Sequence, residues 1–216
     1  MADNPEMLDI SIPLGSQTPE WPGDTPYSCG WTWSIAAGAS VNVSAITTSP
    51  HVGTHADAPL HVRDGTPASE ALPLDAFMGE ALVVDVSDCR GTIERAQLEA
   101  RGLLPGTLRL LLRTGQTIAS GPFPAAWPSL SAECAASLAA DGLRLLGVDC
   151  PSVDDRESKS LAVHHALFDD GTCVLENLDL RAVPPGRYEL VAPPLKVHGL
   201  DAAPVRAVLR PITVLP

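Results

Sequence analysis

Short apolar runs, each about as long as one β-strand, recur along the chain after residue 80. Turn-forming residues bound these runs, so we expect strands there. The runs are Leu82–Val86, Leu108–Leu112, Leu143–Val148, Cys173–Leu178, Tyr188–Val191 and Val205–Leu209. Three helix-like segments lie between them, namely Ile93–Arg101, Ser131–Ala140 and Ser160–Asp169. Strands that alternate with helices predict an α/β or α+β fold.

The first 80 residues differ in composition. They are rich in proline, glycine, serine and threonine, and they include β-prone stretches such as Val41–Thr48. Such frequent turn-forming residues favour strands and loops over long helices. No internal repeat, charge block or Gly/Ser linker marks a boundary along the chain. The sequence therefore predicts one domain over residues 1–216.

Composition excludes several classes of protein. Of the 216 residues, 45% are hydrophobic and 19% are charged, which indicates a globular chain. The formal net charge of −12 repels phosphate backbones and anionic lipid surfaces, so we expect neither nucleic-acid nor membrane binding. No apolar run approaches the ~18 residues of a membrane span. The residues near the N-terminus are acidic, whereas a signal peptide begins with basic residues, so a cytoplasmic location is expected.

The five cysteines are scattered and form no Cys-x-x-Cys pair. They are expected to be reduced thiols that serve as small apolar filler. Any metal ion must then be held by nitrogen and oxygen ligands.

The most informative segment is His51-Val-Gly-Thr-His-Ala-Asp-Ala-Pro-Leu-His61. Gly53 and Pro59 argue against a helix, so we expect an extended segment. With a period of two, His51, His55, Asp57 and His61 then share one face, and the apolar residues between them face a core. Imidazoles beside a carboxylate are suitable ligands for zinc, manganese or iron. The alternative, a histidine-rich surface loop without a ligand, is disfavoured by this arrangement.

A second cluster runs from His164-His165 to Glu176. Helical spacing puts both histidines on the stripe that carries Leu161 and Phe168, facing inward. Glu176 stands in an apolar run, where an unpaired carboxylate is costly to bury and a cation would compensate it. A hydrogen-bonded core histidine and a solvated glutamate are an equally good interpretation of this segment alone. The pair Asp154-Asp155 is expected to be solvated and to have no catalytic role.

These motifs resemble the cyclase-like metal-dependent hydrolases. The row from His51 to His61 is similar to their His-x-Gly-x-His-x-Asp-x-Pro-x-His signature, and Trp21-Pro-Gly-Asp24 and the spacing of His164 to Glu176 also match. Among these proteins the chain most resembles the bacterial kynurenine formamidases (arylformamidases), from about residue 9 to residue 210. The resemblance implies a compact swivelling β/β/α fold, a homodimer, a cytoplasmic enzyme of tryptophan degradation and two Zn²⁺ ions per subunit.

By position, the resemblance implies a role for each matching residue. His51, His55 and Asp57 would hold one zinc, and Asp57 would bridge to a second. The second zinc would also be held by His164 and Glu176, with His165 competing for the place of His164 on helical geometry. His61 would be the acid/base, although a third metal ligand is the alternative, and Trp21 would contact the substrate. His198 matches no motif and is expected at the surface or in packing.

The reaction implied by the resemblance is the hydrolysis of N-formyl-L-kynurenine, an aryl formamide, to L-kynurenine and formate. A carboxylate can bridge two ions, and an imidazole near its ordinary pKa of ~6.5 can accept a proton from water and pass it to the departing aryl nitrogen. Two alternatives stay open: a cyclic-amide hydrolase of the isatin type that uses manganese, and a metal- or ligand-binding module without catalysis.

Overall fold

The computed structural model describes residues 7–212, within which a nine-stranded sheet forms the centre. In chain order the strands are β1 (Leu8–Asp9), β2 (Ser28–Trp33), β3 (Val43–Thr47), β4 (His55–Asp57), β5 (Met78–Asp85), β6 (Thr92–Ile93), β7 (Arg109–Arg113), β8 (Ser129–Leu130), β9 (Leu145–Val148), β10 (Cys173–Glu176), β11 (Gly186–Val191), β12 (Ala202–Pro204) and β13 (Val208–Pro211). The α-helices are α1 (Arg95–Glu99), α2 (Ala132–Ala140) and α3 (Ala162–Asp169). Short 3-10 helices lie at Ile35–Ala37, Pro59–His61, Ser69–Ala71, Leu74–Ala76 and Ile118–Ser120.

The central sheet has the order β1-β13-β11-β5-β7-β9-β10-β4-β12. Its four middle strands β5, β7, β9 and β10 are parallel, and the strands on both sides of them are antiparallel. Strands β2 and β3 form a separate hairpin, and β6 and β8 form a short parallel pair. This mixed architecture confirms the predicted α/β (α+β) class.

The middle strands are apolar without alternation because both faces of the sheet are covered. On β7, Leu110 and Leu112 belong to the core on the side of α2 and α3, whereas Leu111 belongs to the core on the opposite side. All three leucines are at most 2% exposed. Burying such side chains contributes roughly 1.5–3 kcal/mol each.

Gly147 on β9 allows two neighbouring leucines to pack across the sheet. A Cβ at this position would lie 2.4 Å from Leu111 Cδ2 and 3.1 Å from Leu178 Cδ1. No side chain fits at such a distance, so glycine is a packing requirement here.

Most predicted elements are present with shifted bounds. The predicted strand Cys173–Leu178 ends at Glu176, because Asn177 adopts a left-handed conformation with φ 56°. Helix α1 is shorter than predicted because Ile93 pairs in β6 and Glu94 caps the helix. The run Val205–Leu209 does not form one strand, since it covers the link from β12 into β13.

The extended conformation predicted for residues 51–61 is correct only over β4. Gly53 has φ 70° and turns the chain before the strand, and Pro59 begins a 3-10 helix after it. Glycine suits the positive φ, and proline suits the first position of a helical turn. Only His55 and Asp57 therefore share a strand face, and His51 and His61 approach them from the turn before the strand and the 3-10 helix after it.

The hairpin of β2 and β3, here called the arm, is exposed along its whole length. Its largest apolar side chains are Trp31, Trp33 and Ile46, which are 66%, 59% and 59% exposed. An isolated two-stranded hairpin is marginally stable in water, so such an arm requires a contact beyond its own two strands.

Two further predictions concern the cysteines and membrane-spanning helices. Four of the five cysteines are buried, as the filler interpretation predicts, but the interpretation is wrong for Cys29, which is exposed on the arm. Between residues 7 and 212, no helix has the length and apolar character needed to cross a membrane.

Candidate metal centre and active site

Two adjacent strands supply the centre of the site. His55 and Asp57 are two residues apart on β4, so their side chains leave the strand on the same face. Glu176 on β10 is the direct antiparallel partner of His55. His55 Nε2 lies 3.6 Å from Glu176 Oε2, and all three side chains are buried. Sheet pairing thus fixes these three groups.

His51 reaches the same point from the turn before β4. A Cβ on Gly53 in this turn would lie 2.8 Å from a side-chain carbon of Leu14, so glycine permits the close turn. His51 Nδ1 lies 3.1 Å from His55 Nε2 and 3.1 Å from Asp57 Oδ1. The turn therefore brings the imidazoles of His51 and His55 together, whereas a straight strand would only have placed them on the same face.

His164 approaches from the opposite side, on α3, where it is 1% exposed. Its Nε2 lies 3.2 Å from Asp57 Oδ2 and 3.5 Å from Glu176 Oε1. His165, the competing candidate, points elsewhere, and its Nδ1 lies 3.2 Å from Arg63 Nη2. The structure thus brings His164 into the centre and leaves His165 outside it.

The two oxygens of Asp57 face two different groups of ligand atoms. Oδ1 lies 3.1 Å from His51 Nδ1 and 3.3 Å from His55 Nε2, whereas Oδ2 faces His164 Nε2. A carboxylate with one oxygen in each group has the arrangement that bridging two cations requires.

The contacts around Asp57 Oδ1 are close, yet they are not hydrogen bonds. This buried oxygen has no hydrogen-bond partner among residues 7–212, although two imidazole nitrogens lie within ion-pair distance. A buried polar atom without a partner requires an explanation, and an ion is a common one. Nitrogen and oxygen atoms that converge on one point fit a divalent cation such as zinc.

The electrostatic field of the site favours positive charge. Burial alone would lower the pKa of His55, but the Asp57 and Glu176 carboxylates outweigh it and raise that pKa to about 10. Burial likewise opposes protonation of His164, whose pKa the Asp154 and Asp57 carboxylates raise to about 10. Burial would raise the pKa of Asp57, and His55 and His51 hold it well below its usual value. The same field attracts metal cations.

Asp154 corrects a sequence expectation, since it is buried and not solvated. It is 2% exposed, whereas its neighbour Asp155 is exposed. Its carboxylate accepts hydrogen bonds from the backbone N–H groups of Val163 (2.9 Å) and His164 (3.1 Å), and lies 2.6 Å from His164 Nδ1. A ligand histidine commonly bonds a carboxylate through its other ring nitrogen, which fixes its orientation. The sequence offered no signal for this contact, because adjacent acidic residues are usually solvated.

Asp201 is a second residue that sequence reasoning missed. Its Oδ2 lies 2.9 Å from His51 Nε2 and 3.2 Å from His61 Nδ1. The separation of 140 residues from His61 leaves no sequence signal for this contact. His61 is 30% exposed in its side chain, and its ring centre lies 4.3 Å from that of His51 and 5.8 Å from that of His164. His61 therefore stands beside the centre, at its solvent side.

A cavity of about 280 Å³ opens over the centre. Trp21, which is 38% exposed, forms part of its wall and packs edge-on against Phe123, with 5.3 Å between ring centres. The predicted turn is present, since Asp24 N donates to Trp21 O at 2.9 Å and Gly23 has φ 96°. The cavity is thus aromatic on one side and polar on the other, as a site for a small aryl ligand would be.

The cavity is lined by neither His198 nor any of the remaining tryptophans. Trp127 is in the core and packs against Trp21, with 5.9 Å between ring centres, whereas Trp31 and Trp33 are on the exposed arm. His198 is 94% exposed in its side chain and pairs with Glu70, in agreement with the predicted surface position.

Comparisons with known proteins agree with this arrangement. Residues 8–155 match the family described as "Putative cyclase". The kynurenine formamidase of Bacillus cereus is 44% identical over 207 residues, covering 96% of this chain and 98% of that protein. A solved structure of a "potential metal-dependent hydrolase with cyclase activity" aligns with a TM-score of 0.81 at 28% identity, over 94% of this chain and 96% of that one.

Isatin hydrolase A from Labrenzia aggregata also shares the fold, with a TM-score of 0.78 at 21% identity over 94% of this chain and 93% of that one. The cyclase-like fold predicted from the sequence is confirmed by these structural matches. This chain belongs to the cyclase family, together with the bacterial kynurenine formamidases, and is a hydrolase.

Proposed function

We propose that this hydrolase cleaves N-formyl-L-kynurenine to L-kynurenine and formate in tryptophan degradation, and that it depends on two zinc ions per subunit. The observation that carries the proposal is the position of the Asp57 carboxylate, whose two oxygens face two separate groups of ligand atoms. The 44% identity to a protein named kynurenine formamidase supports the substrate class.

The ligand sets follow from the distances around Asp57 and around His164, whose Nε2 lies 3.2 Å from Asp57 Oδ2 and 3.5 Å from Glu176 Oε1. His51, His55 and Asp57 Oδ1 would hold one ion. A further set, comprising Asp57 Oδ2, His164 and Glu176, would hold the other. Divalent ions held there supply, when bound, the Lewis acidity that hydrolysis of a stable amide requires. Zinc suits imidazole and carboxylate ligands, and manganese accepts the same atoms.

The chain's own residues supply position and proton transfer. Trp21 and Phe123 would contact the aryl ring, which leaves the formyl group towards the polar side of the cavity. His61, held by Asp201, would accept a proton from the attacking water and donate it to the aryl nitrogen. Water adds to the formyl carbon and the carbon–nitrogen bond breaks. Formate and an aryl amine result.

The first test is formate release from N-formyl-L-kynurenine by the purified protein, measured beside ring opening of isatin. Formate release supports the proposal, and isatin opening without it would assign the protein to the alternative reaction. Metal analysis should find close to two divalent ions per chain. About one would contradict the bridging role of Asp57.

The proton-transfer role is tested separately. His61→Ala should lower kcat about 100-fold or more while metal content stays at the wild-type value. His165→Ala is the matched control, since His165 contacts Arg63 outside the cavity, and it should leave turnover unchanged. Loss of metal in His61→Ala would instead make His61 a ligand, the alternative that the sequence left open. A binding module without catalysis would show no turnover in any variant.

We also propose that the arm joins two copies of the chain into the homodimer implied by the family resemblance. Residues 25–50 carry no charged side chain, so the arm avoids the repulsion expected between two chains of net charge −12. Trp31 and Trp33 alone expose roughly a third of the ~800 Å² per partner that a stable interface buries.

The oligomeric state tests this proposal directly. Light scattering should give twice the chain mass for the wild type and the monomer mass for the double variant Trp31→Ser/Trp33→Ser. Leu74→Ser is the control, because Leu74 is 60% exposed and lies outside the arm. A dimer that persists in the double variant would place the interface elsewhere.

We further propose that residues 1–216 form a single domain. Both hydrophobic cores pack on opposite faces of the same nine-stranded sheet, so neither core is complete without the other's strands. Unfolding in urea should then give one transition with coincident fluorescence and circular dichroism curves. Two separate transitions would contradict it.

A further inference from the structure

Asn177 has a feature that the ligand sets do not explain. It follows Glu176 directly, is 4% exposed, and its Oδ1 has no hydrogen-bond partner within residues 7–212. Leaving such a buried polar atom unpaired costs about 1–3 kcal/mol. The stability of the fold alone gives no reason for this polar side chain.

The backbone of Asn177 is held firmly on both sides. Thr54 Oγ1 donates to Asn177 O at 2.6 Å, and Asn177 N donates to Cys150 O at 3.2 Å. Its φ of 56° lies in the left-handed region, which glycine adopts freely and asparagine tolerates. The conformation therefore explains a glycine or an asparagine at this position, but it does not explain an unpaired carboxamide.

Asn177 lines the cavity over the metal centre, together with Glu176 and Ser152. Within the centre, His164 contacts both Asp57 and Glu176, and Asp57 Oδ1 is the other buried oxygen without a hydrogen-bond partner within residues 7–212. In this structure Oδ1 is buried, and rotation about the Cβ–Cγ bond, which exchanges the two ends of a carboxamide, would turn the oxygen towards the cavity. Asn177 thus offers a neutral acceptor to whatever occupies the cavity.

We propose that Asn177 is a substrate-binding residue that accepts a hydrogen bond from the amide N–H of an aryl formamide. This inference rests on the proposed formamidase function. With the formyl group at the metal centre and the ring against Trp21, the N–H lies between them and needs an acceptor that is not a metal ligand. Asn177 meets this need, and it makes the site prefer secondary formamides over esters of the same shape.

The experiment compares formanilide with phenyl formate, an ester that lacks the N–H. In Asn177→Gly, which keeps the left-handed backbone without strain, kcat/KM for formanilide should fall about 10- to 100-fold while the value for phenyl formate changes less than about threefold. Asn177→Ala should show the same selective loss. Competitive inhibition by acetanilide and phenyl acetate measures the same difference from binding alone.

Leu161→Gly is the matched control. Within residues 7–212, Leu161 is the other non-glycine residue with a left-handed backbone (φ 47°), and it lines the same cavity without a polar side chain. Its replacement should change kcat/KM for both substrates by the same factor.

Three results would overturn the inference while leaving the formamidase function intact. These are an equal loss for amide and ester in Asn177→Gly, no loss for either, and a fall in metal content that would make Asn177 a metal-site residue. Absence of formanilide and N-formyl-L-kynurenine turnover in the wild type would instead refute the proposed function.

Discussion

Asp154 links the start of α3 to the orientation of His164, so its removal should affect stability and metal binding together. Leu161 precedes the helix and provides no side-chain cap. The Asp154 carboxylate takes the place of a cap, because it accepts from the backbone N–H groups of Val163 and His164 and contacts His164 Nδ1. Asp154→Ala leaves all three donors buried without a partner.

The magnitude follows from these contacts. Loss of a helix cap costs about 1 kcal/mol, and loss of a charge-assisted hydrogen bond to a buried imidazole costs about 1.5–3 kcal/mol. We therefore expect Asp154→Ala to lower the free energy of unfolding by about 2.5–4 kcal/mol. Asp154→Asn should lose roughly half as much, since its amide oxygen still accepts. Without the carboxylate to fix the His164 ring, zinc affinity should fall about 10- to 100-fold.

Urea unfolding measures the first effect, and competition with a chromogenic chelator measures the second. Asp155→Ala is the control, because this exposed neighbour makes no contact with His164 and should change neither quantity. The reasoning is refuted if Asp154→Ala destabilises the protein by less than about 1 kcal/mol, or if its zinc affinity equals that of the wild type.

Other predictions concern packing, pH and metal. Gly147→Ala forces a Cβ against Leu111 and should cost about 2–3 kcal/mol in urea unfolding, whereas Gly15→Ala, outside the arm and with open space around it, should be neutral within about 0.5 kcal/mol. The hydrogen bond from Arg113 lowers the pKa of Asp85 to about 2, so this pair stabilises the fold above pH 4 and its contribution is lost as the pH falls towards 2. Asp85→Asn should therefore cost about 1 kcal/mol at pH 6 and progressively less below pH 4, and a constant cost would contradict the pairing. Removal of metal by a chelator should lower Tm by about 10 °C, reversibly on adding zinc, and an unchanged Tm would count against the metal centre.

Local pattern predicted the middle of the sheet well because those strands are buried on both faces. The run around Leu110 has to be apolar whatever it pairs with, so composition alone reveals it. The path on either side of β4, at Gly53 and from Pro59 onwards, was predicted wrongly, since residue alternation describes a straight strand and neither a turn nor a 3-10 helix. The motif spacing nevertheless selected side chains that meet, because His55 and Asp57 do share a strand face.

Asp154 and Asp201 could not be found in this way, for a physical reason. Each acts through one carboxylate oxygen on a histidine that is near only in the folded chain, 10 residues away for His164 and 140 for His61. A helix without its own capping side chain does signal that a distant group must satisfy its first N–H groups. The sequence does not say which carboxylate does so.

Asp201 also connects the proposed metal centre to His61, the residue proposed to transfer the proton. The same oxygen, Oδ2, contacts His51 through Nε2 and His61 through Nδ1. The other nitrogen of His51 faces Asp57, so one carboxylate orients both a proposed ligand of the metal centre and the residue proposed to carry the proton. Because the two imidazoles share this anchor, the proton carrier keeps a fixed distance from the centre. Asp201 is on the loop before β12, the strand that pairs with β4, so the sheet fixes the anchor relative to Asp57 as well.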